Sequence, residues 1–361
     1  SKILLNARCF DLKRLLSLLL SACCVCVLFT SCGKTEDTGK APNVDTDGLA
    51  VNEVVTGPIN PLTGETVETD TSSARPYCVM INNHPSARPC KGLANASIVY
   101  EALVEGDITR MMAVFTDISQ TDVGYIRSAR PYYVSLVQAY DAIYVHCGHS
   151  DQARADIKQY GVSDIDATFG EGGSAWVRDK DRVGRVSYEH TLYAKGDKIA
   201  EYAAKKFDLE HSDSFDTKYG LIFSPDAASQ CDKESKEFTI KYLSSTATTL
   251  KYVADRNCYN AFISGTEYTD GNDKHIDFAN VIILNVGNSV VDRKGHREMN
   301  LVGSGTGYFC NGGKYVEIKG ERADRNDNFH YTLSDGTPLA LGVGKTFISI
   351  APLDSTGSVT W

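Results

Sequence analysis

Two short turns of this chain carry arginine, serine and histidine side chains that could hold a ligand. They are Arg127-Ser128-Ala129-Arg130 and His146-Cys147-Gly148-His149-Ser150. Each precedes a predicted helix, and the free N–H groups and positive dipole end of a helix N-terminus favour an anion. A guanidinium offers planar paired donors to carboxylate or phosphate. The turns therefore predict an anion site that includes Arg127, Ser128, Arg130, His146 and Ser150. The alternative is that these arginines form ion pairs with the many acidic residues of the chain.

A third turn, Asn83-His84-Pro85-Ser86-Ala87-Arg88-Pro89, follows another predicted strand. Two prolines fix its path. His84 could serve as an acid, a base or a ligand, and Arg88 adds another guanidinium. The alternative is that Asn83 and His84 only hydrogen-bond the loop that contains them.

Two more charged stretches are candidates for binding. Glu101, Glu105 and Arg110 flank a turn at Gly106, and Arg178, Asp179 and Arg182 follow Trp176. The first is interpreted as a solvated charge cluster. The second is either an exposed recognition loop or a surface loop held by salt bridges.

Strands and helices must position these turns. Apolar runs predict strands at 77–82, 97–103, 110–116, 123–126 and 143–147. Helical patterns cover 131–140, 151–160 and 193–207, with Pro131 as a first-turn residue and Ser150 as a cap. The segment 123–147 reads as strand–helix–strand, which predicts parallel strands joined by a right-handed crossover. Both turns would then lie at the carboxyl edge of one sheet, where ligands of such sheets bind.

After residue 219 the chain carries short β-type runs separated by turn clusters, with no helical pattern. The fold class predicted is mixed α+β or α/β: an α/β N-terminal domain at 59–207, a linker at 208–235 and a β-rich C-terminal domain at 236–361.

The N-terminus indicates export and lipid anchoring. Lys2, Arg8, Lys13 and Arg14 precede an apolar run at 15–30, and Ser31 then precedes Cys32. That run has about 16 residues, short of the roughly 20 that span a bilayer. The pattern predicts a lipoprotein signal peptide at 1–31, acylation of Cys32 and a flexible tether at 32–58. A secretory signal without lipidation is the alternative, because Phe29 is unusual three residues before such a cysteine.

Charge and cysteine content narrow the partners. Removal of residues 1–31, with four basic residues and Asp11, lowers the net charge from −9 to −12. So acidic a protein repels phosphate polymers, which argues against nucleic acid as a partner.

Of eleven cysteines, six lie beyond residue 32, and these six include no C-x-x-C pair. Buried free thiols are favoured over disulfides.

Familiar catalytic and metal motifs are missing from the sequence. It contains no G-x-S-x-G, H-E-x-x-H or P-loop pattern. His146 and His149 straddle a predicted strand end and should not share a face as metal ligands. We therefore expect no cofactor and no metal, and the motifs assign no catalytic residue.

Five ordered motifs, NPLTG (60–64), INNHPSARP (81–89), IVYEALVEGDITR (98–110), VGYIRSARPYY (124–133) and YDAIYVHCGHSDQA (140–153), resemble the YerB-like family of bacterial lipoproteins. The resemblance covers residues 60–351. It implies a layered α–β sandwich as the N-terminal domain, but no activity. It points to Asn83, His84, Arg88, Glu101, Arg110, Arg127, Ser128, Arg130, His146, Ser150, Arg178, Asp179 and Arg182. This chain departs from the family at Asn82, where an aspartate is usual, and at 188–191 and 321–326, which suits a binding surface better than a shared catalytic role.

Together these features predict a lipid-anchored binding or regulatory protein on the outer face of a Gram-positive cytoplasmic membrane. Its ligand site, formed by Asn83, His84, Arg88, Arg110, Arg127, Ser128, Arg130, His146, Ser150 and Arg178, would recognise an anionic envelope ligand or a wall-synthesis protein. The alternative is an envelope hydrolase or transferase that uses His84 or His146 beside the arginines.

Overall fold

The structure, a computed structural model, describes residues 57–361 apart from Ser264. The predicted signal peptide, Cys32 and nearly all of the predicted tether lie outside the described residues. No helix among residues 57–361 is long and apolar enough to cross a membrane.

The first half of the described chain mixes strands with α-helices. Its strands are β1 (Tyr77–Asn82), β2 (Ile98–Leu103), β3 (Thr109–Phe115), β4 (Asp122–Gly124), β5 (Ile143–His146), β6 (Asp164–Asp166), β7 (Trp176–Arg178) and β8 (Leu192–Lys195). Its helices are α1 (Pro131–Ala139), α2 (Asp151–Tyr160) and α3 (Gly196–Lys206). All three helices lie within the ranges that the sequence predicts.

The second half consists of strands, short 3-10 turns and loops. Its strands are β9 (Lys233–Glu234), β10 (Glu237–Leu243), β11 (Thr246–Val253), β12 (Cys258–Ile263), β13 (Thr266–Glu267), β14 (Asn280–Asn285), β15 (Asn288–Val290), β16 (Arg297–Met299), β17 (Gly303–Asn311), β18 (Lys314–Arg322), β19 (His330–Leu333), β20 (Thr346–Ala351) and β21 (Ser358–Thr360). Within the described residues no α-helix follows Lys206. The mixed α+β class with a β-rich second half is therefore confirmed.

One large sheet runs through both halves. Its strand order is β19-β18-β17-β14-β20-β2-β3-β1-β5-β6, with β9 paired to β18. The halves meet where β2 pairs in parallel with β20, from Ile98 opposite Thr346 to Ala102 opposite Ile350. Every residue of β1, β2, β3 and β20 is buried, as expected for strands covered on both faces. The predicted linker at 208–235 contributes β9 to this sheet, and the division of the chain into two domains stays a prediction.

The strand before the first arginine turn does not lie where the sequence predicts. β4 pairs antiparallel with β8 in a small sheet ordered β4-β8-β7, whereas β1 is the parallel neighbour of β5. The prediction that segment 123–126 and β5 are parallel strands of one sheet is therefore wrong. Gly124 accounts for the difference, because a Cβ atom there would lie 2.6 Å from the Cβ of Tyr193 on β8. The missing side chain lets β4 approach β8 closely.

The two turns nevertheless meet. The Ala129 N–H donates to the Gly148 carbonyl at 2.9 Å, and the Cys147 N–H donates to the Arg127 carbonyl at 3.0 Å. Helix α1 begins at Pro131, and Ser150 caps α2 by accepting from the Ala153 N–H at 3.2 Å. The N-termini of both helices consequently start from one pair of hydrogen-bonded turns.

Candidate functional site

A groove of about 720 Å³ opens where the start of α1 and the length of α2 face the β15–β16 hairpin. The first half lines it with Arg130, Ser150 and residues of both helices, and the second half with residues 291–302 and Arg325. Its volume lies in the range usual for small-molecule sites, roughly 300–1,000 Å³. The groove is therefore the concave feature to which the predicted arginine turns lead.

Arg130 is fixed at the wall of this groove by an acidic residue. Its Nε and Nη2 bind the two carboxylate oxygens of Glu105, the Nη2 contact measuring 2.6 Å, and its Nη1 donates to the Ala129 carbonyl. Burial by itself raises the pKa of Glu105, but the hydrogen bond and charge of Arg130 bring it below its usual value. The alternative interpretation, a structural ion pair, therefore describes Arg130.

Two arginines of the second half join Arg130 in the groove. Arg297 is buried and donates to the Val104 carbonyl at 3.0 Å, to Asn288 Oδ1 at 2.9 Å and to Asp107 Oδ1 at 3.0 Å. Arg325 is looser: its guanidinium lies 4.1 Å from the centroid of the Tyr160 ring. Its Nη2 is buried 3.6 Å from Asp156 Oδ2 and has no hydrogen-bond partner among the described residues. Arg325 thus lines the groove as a partly exposed cation beside Asp156.

Carboxylates also line the groove, and their oxygens can accept hydrogen bonds from hydroxyl groups of a ligand. The acidic residues are Asp151, Asp156, Asp292 and Glu298. Asp156 Oδ1 accepts from Gln152 at 2.7 Å, and Asp292 Oδ2 accepts from His296 Nδ1 at 2.6 Å. The His296 hydrogen bond holds the pKa of Asp292 below its usual value. The groove therefore combines cationic donors and helix N–H groups with carboxylate acceptors.

His146 does not take part in the groove. Its side chain has no exposed surface, Nδ1 is 2.9 Å from the Gly148 carbonyl and Nε2 is 3.1 Å from Asp164 Oδ2. Both ring nitrogens face acceptor atoms, so both contacts are hydrogen bonds only if the ring carries two protons. A buried ring held in this way cannot reach a solute. The carboxylates beside His146 are Asp164 and Asp166, which the sequence analysis did not connect with this histidine.

His84 lies in a second cluster, outside the groove. Its ring stacks on that of His190, with centroids 4.5 Å apart, and the neighbouring Glu189 accepts from Arg127 at 2.8 Å. Burial, followed by the charge of His84, keeps the pKa of His190 below its usual value although Glu189 opposes this. Arg178 stacks on the Tyr188 ring at 3.9 Å, as in a cation–π contact.

The remaining predicted ligand residues bind other parts of the protein. Asn83 donates to Glu101 and accepts from Arg88 Nε at 3.1 Å, and Ser128 donates to the Cys147 carbonyl. Arg110 donates to the Ser128 carbonyl, and its pKa falls to about 10 because it is buried near the charges of Arg130 and Arg127. The turns converge as predicted, but their side chains divide among the groove, the His84 cluster and buried networks.

Sequence reasoning missed the second-half contribution to the groove. His296, Arg297 and Arg325 come from a β-hairpin and a loop that no motif connected to the arginine turns. One signal existed: Arg325 lies in the 321–326 stretch where this chain departs from the YerB-like pattern. All six cysteines beyond residue 32 have free thiols, and only Cys147 is partly exposed.

Comparison with known proteins places the chain among its relatives. Residues 62–211 match the N-terminal domain, and residues 238–348 the C-terminal domain, of DUF3048, described as a protein of unknown function. The chain belongs to the DUF3048 family. YerB of Bacillus subtilis (strain 168), provisionally named as a lipoprotein, is 31% identical over 296 residues, which cover 81% of this chain and 86% of that protein.

A crystal structure of YerB from Bacillus subtilis has the same fold as this DUF3048 chain. The TM-score is 0.71 at 28% identity, and the match covers 84% of this chain and 99% of that structure. The resemblance to the YerB-like family is thus confirmed.

Proposed function

We propose that this chain is a lipid-anchored protein on the outer face of the cytoplasmic membrane of a Gram-positive type bacterium, where its groove binds a glycan bearing an anionic group. The membrane placement rests on the signal pattern ending at Cys32 and on the provisional lipoprotein name of the related YerB. The ligand class rests on the groove itself.

The observation that carries the ligand proposal is the mixed lining of the groove. Two helix N-termini and the partly exposed guanidinium of Arg325 favour an anionic group. Asp151, Asp156 and Glu298 are acceptors for hydroxyl protons. A sugar ring with a carboxylate or phosphate substituent presents both an anionic group and hydroxyl donors. A simple anion has no hydroxyl group to donate to the carboxylates of the groove.

The groove is tested by replacing Arg325 with alanine. N-acetylmuramic acid, an amino sugar with a carboxylate, serves as the probe, and binding is followed by ligand-observed NMR. Arg325→Ala should weaken binding by at least about tenfold, the effect of losing one charged hydrogen bond, about 1.4 kcal/mol or more. Arg185→Ala is the matched control, because Arg185 is exposed and lies outside the groove. Equal affinities of the two variants would contradict the proposal.

The anchor is tested separately. Cys32→Ala should abolish incorporation of a labelled fatty acid and leave the protein released or as an uncleaved precursor, because no thiol remains at the acylation position. Two acyl chains on one diacylglyceryl group suffice for stable attachment. Labelling of the variant equal to that of the unaltered protein would refute the anchor.

A further inference from the structure

A cluster of metal-ligand side chains lies in the second half, and its three residues do not line the groove. Glu267 is on β13, and His275 and Asp277 are on the loop before β14. One ligand atom from each of these three residues lies within 4.8 Å of the others. Two carboxylates and an imidazole are donors that divalent metals commonly use.

A buried amide points into the same cluster. Asn260 on β12 is fully buried, and its Nδ2 lies 2.6 Å from Glu267 Oε1 and 3.4 Å from Asp277 Oδ1. Its Oδ1 has no hydrogen-bond partner in the part of the chain that the structure describes. The oxygen and nitrogen of an amide have nearly the same shape. Rotating the amide by half a turn would therefore place Oδ1 between the two carboxylates, an arrangement that is favourable only with a cation among them.

Arg256 is the cation now present. It binds Glu267, and its Nε lies 3.1 Å from Asp277 Oδ2. Glu267 Oε1 accepts from Arg256, Asn260 and His275 together, which is more than the two lone pairs of one oxygen can serve well. A metal ion that replaced these donors would compete with the guanidinium, so Arg256 should weaken metal binding.

We propose that Glu267, His275, Asp277 and Asn260 bind one divalent transition-metal ion, with three oxygen ligands and one imidazole nitrogen. Mn²⁺ accepts mainly oxygen ligands, and Zn²⁺ binds the same donor types more tightly. This proposal departs from the sequence analysis, which expected no metal, and it does not depend on the proposed glycan groove.

The test is a titration of the full chain with Mn²⁺, in which loss of the electron paramagnetic resonance signal of the free ion reports binding. Mn²⁺ is chosen because it competes poorly for the free thiols of this protein. One saturable site is expected, displaced by Zn²⁺. His275→Ala and Asp277→Asn should each weaken it by at least about tenfold, and Arg256→Gln should tighten it.

His330→Ala is the matched control, since His330 also contacts an aspartate, Asp327 at 3.1 Å, but belongs to no such cluster among residues 57–361. It should bind Mn²⁺ like the unaltered protein. Absence of saturable binding, or unchanged affinity in His275→Ala, would overturn the proposal. If Arg256→Gln fails to fold, the His275 and Asp277 variants still decide, because both residues lie on a loop.

Discussion

Replacing Arg322 with alanine should destabilise the protein by about 3–5 kcal/mol. Arg322 is fully buried, although no carboxylate lies within 4.0 Å of it among the described residues. Its guanidinium donates to Ser135 Oγ at 2.9 Å and to the carbonyls of Ser135, Asp327 and Arg325 at 2.7 Å each. Alanine would leave these buried acceptors without a donor and would open a cavity beside Phe329.

Urea denaturation of Arg322→Ala measures this loss. Arg325→Ala is the matched control, since Arg325 is partly exposed and the same substitution there should cost about 1 kcal/mol or less. Because Arg322 joins β18 to α1 of the first half, its loss should also loosen the wall of the groove. If Arg322→Ala lowers the free energy of unfolding by less than about 1 kcal/mol, water replaces the guanidinium as donor to these acceptors and the prediction is wrong.

Replacing Glu101 with alanine should cost about 2–4 kcal/mol. Its buried carboxylate accepts from Asn83 Nδ2 at 2.9 Å and from Thr109 Oγ1 at 2.5 Å. It also accepts from Thr248 Oγ1 on β11 at 2.9 Å, which ties the two halves together. Alanine would orphan all three donors, whereas Glu101→Gln should cost within about 1 kcal/mol, since the Thr248 hydroxyl can accept from the new amide.

The Glu101 variants should also differ in their pH dependence. Burial raises the pKa of Glu101 above its ordinary 4.5, although its hydrogen bonds oppose this. The folded state then holds a proton that the unfolded state releases, so stability should fall as pH rises from about 4.5 through the raised folded pKa. Glu101→Gln should lack this decline. If the unfolding free energies of the unaltered protein and of Glu101→Gln change in parallel across that pH range, the raised pKa of Glu101 is refuted.

Much of the fold follows from local pattern in the sequence. Helices α1 and α2 are predicted because Pro131, Ser150 and Gly161 mark their ends, and Gly161 adopts the left-handed conformation with φ 64°. The strand at 77–82 is predicted because a continuous apolar run implies burial on both faces. The predicted position of β4 is wrong because the real one depends on the close approach of Gly124 to Tyr193. That approach is a long-range contact without a local signal in the sequence.

The candidate site was predictable only in part, for the same reason. Arg130 and Ser150 could be placed near two helix N-termini from the chain order alone. Arg325 reaches the groove through the pairing of the second half with the first, and this pairing depends on β2 meeting β20 about 250 residues later. The alternative of structural ion pairing, left open for the arginine turns, describes Arg130, while Arg127 pairs with Glu189 elsewhere.

The most direct test of the glycan groove compares two sugars that differ by one lactyl substituent with its carboxylate. N-acetylmuramic acid carries a lactyl carboxylate that N-acetylglucosamine lacks. The unaltered protein should bind the charged sugar at least about tenfold more tightly, with a preference that shrinks as salt rises. Arg325→Ala should remove the preference and Arg185→Ala should keep it. Equal affinity for the two sugars, or a preference unchanged in Arg325→Ala, would contradict the account.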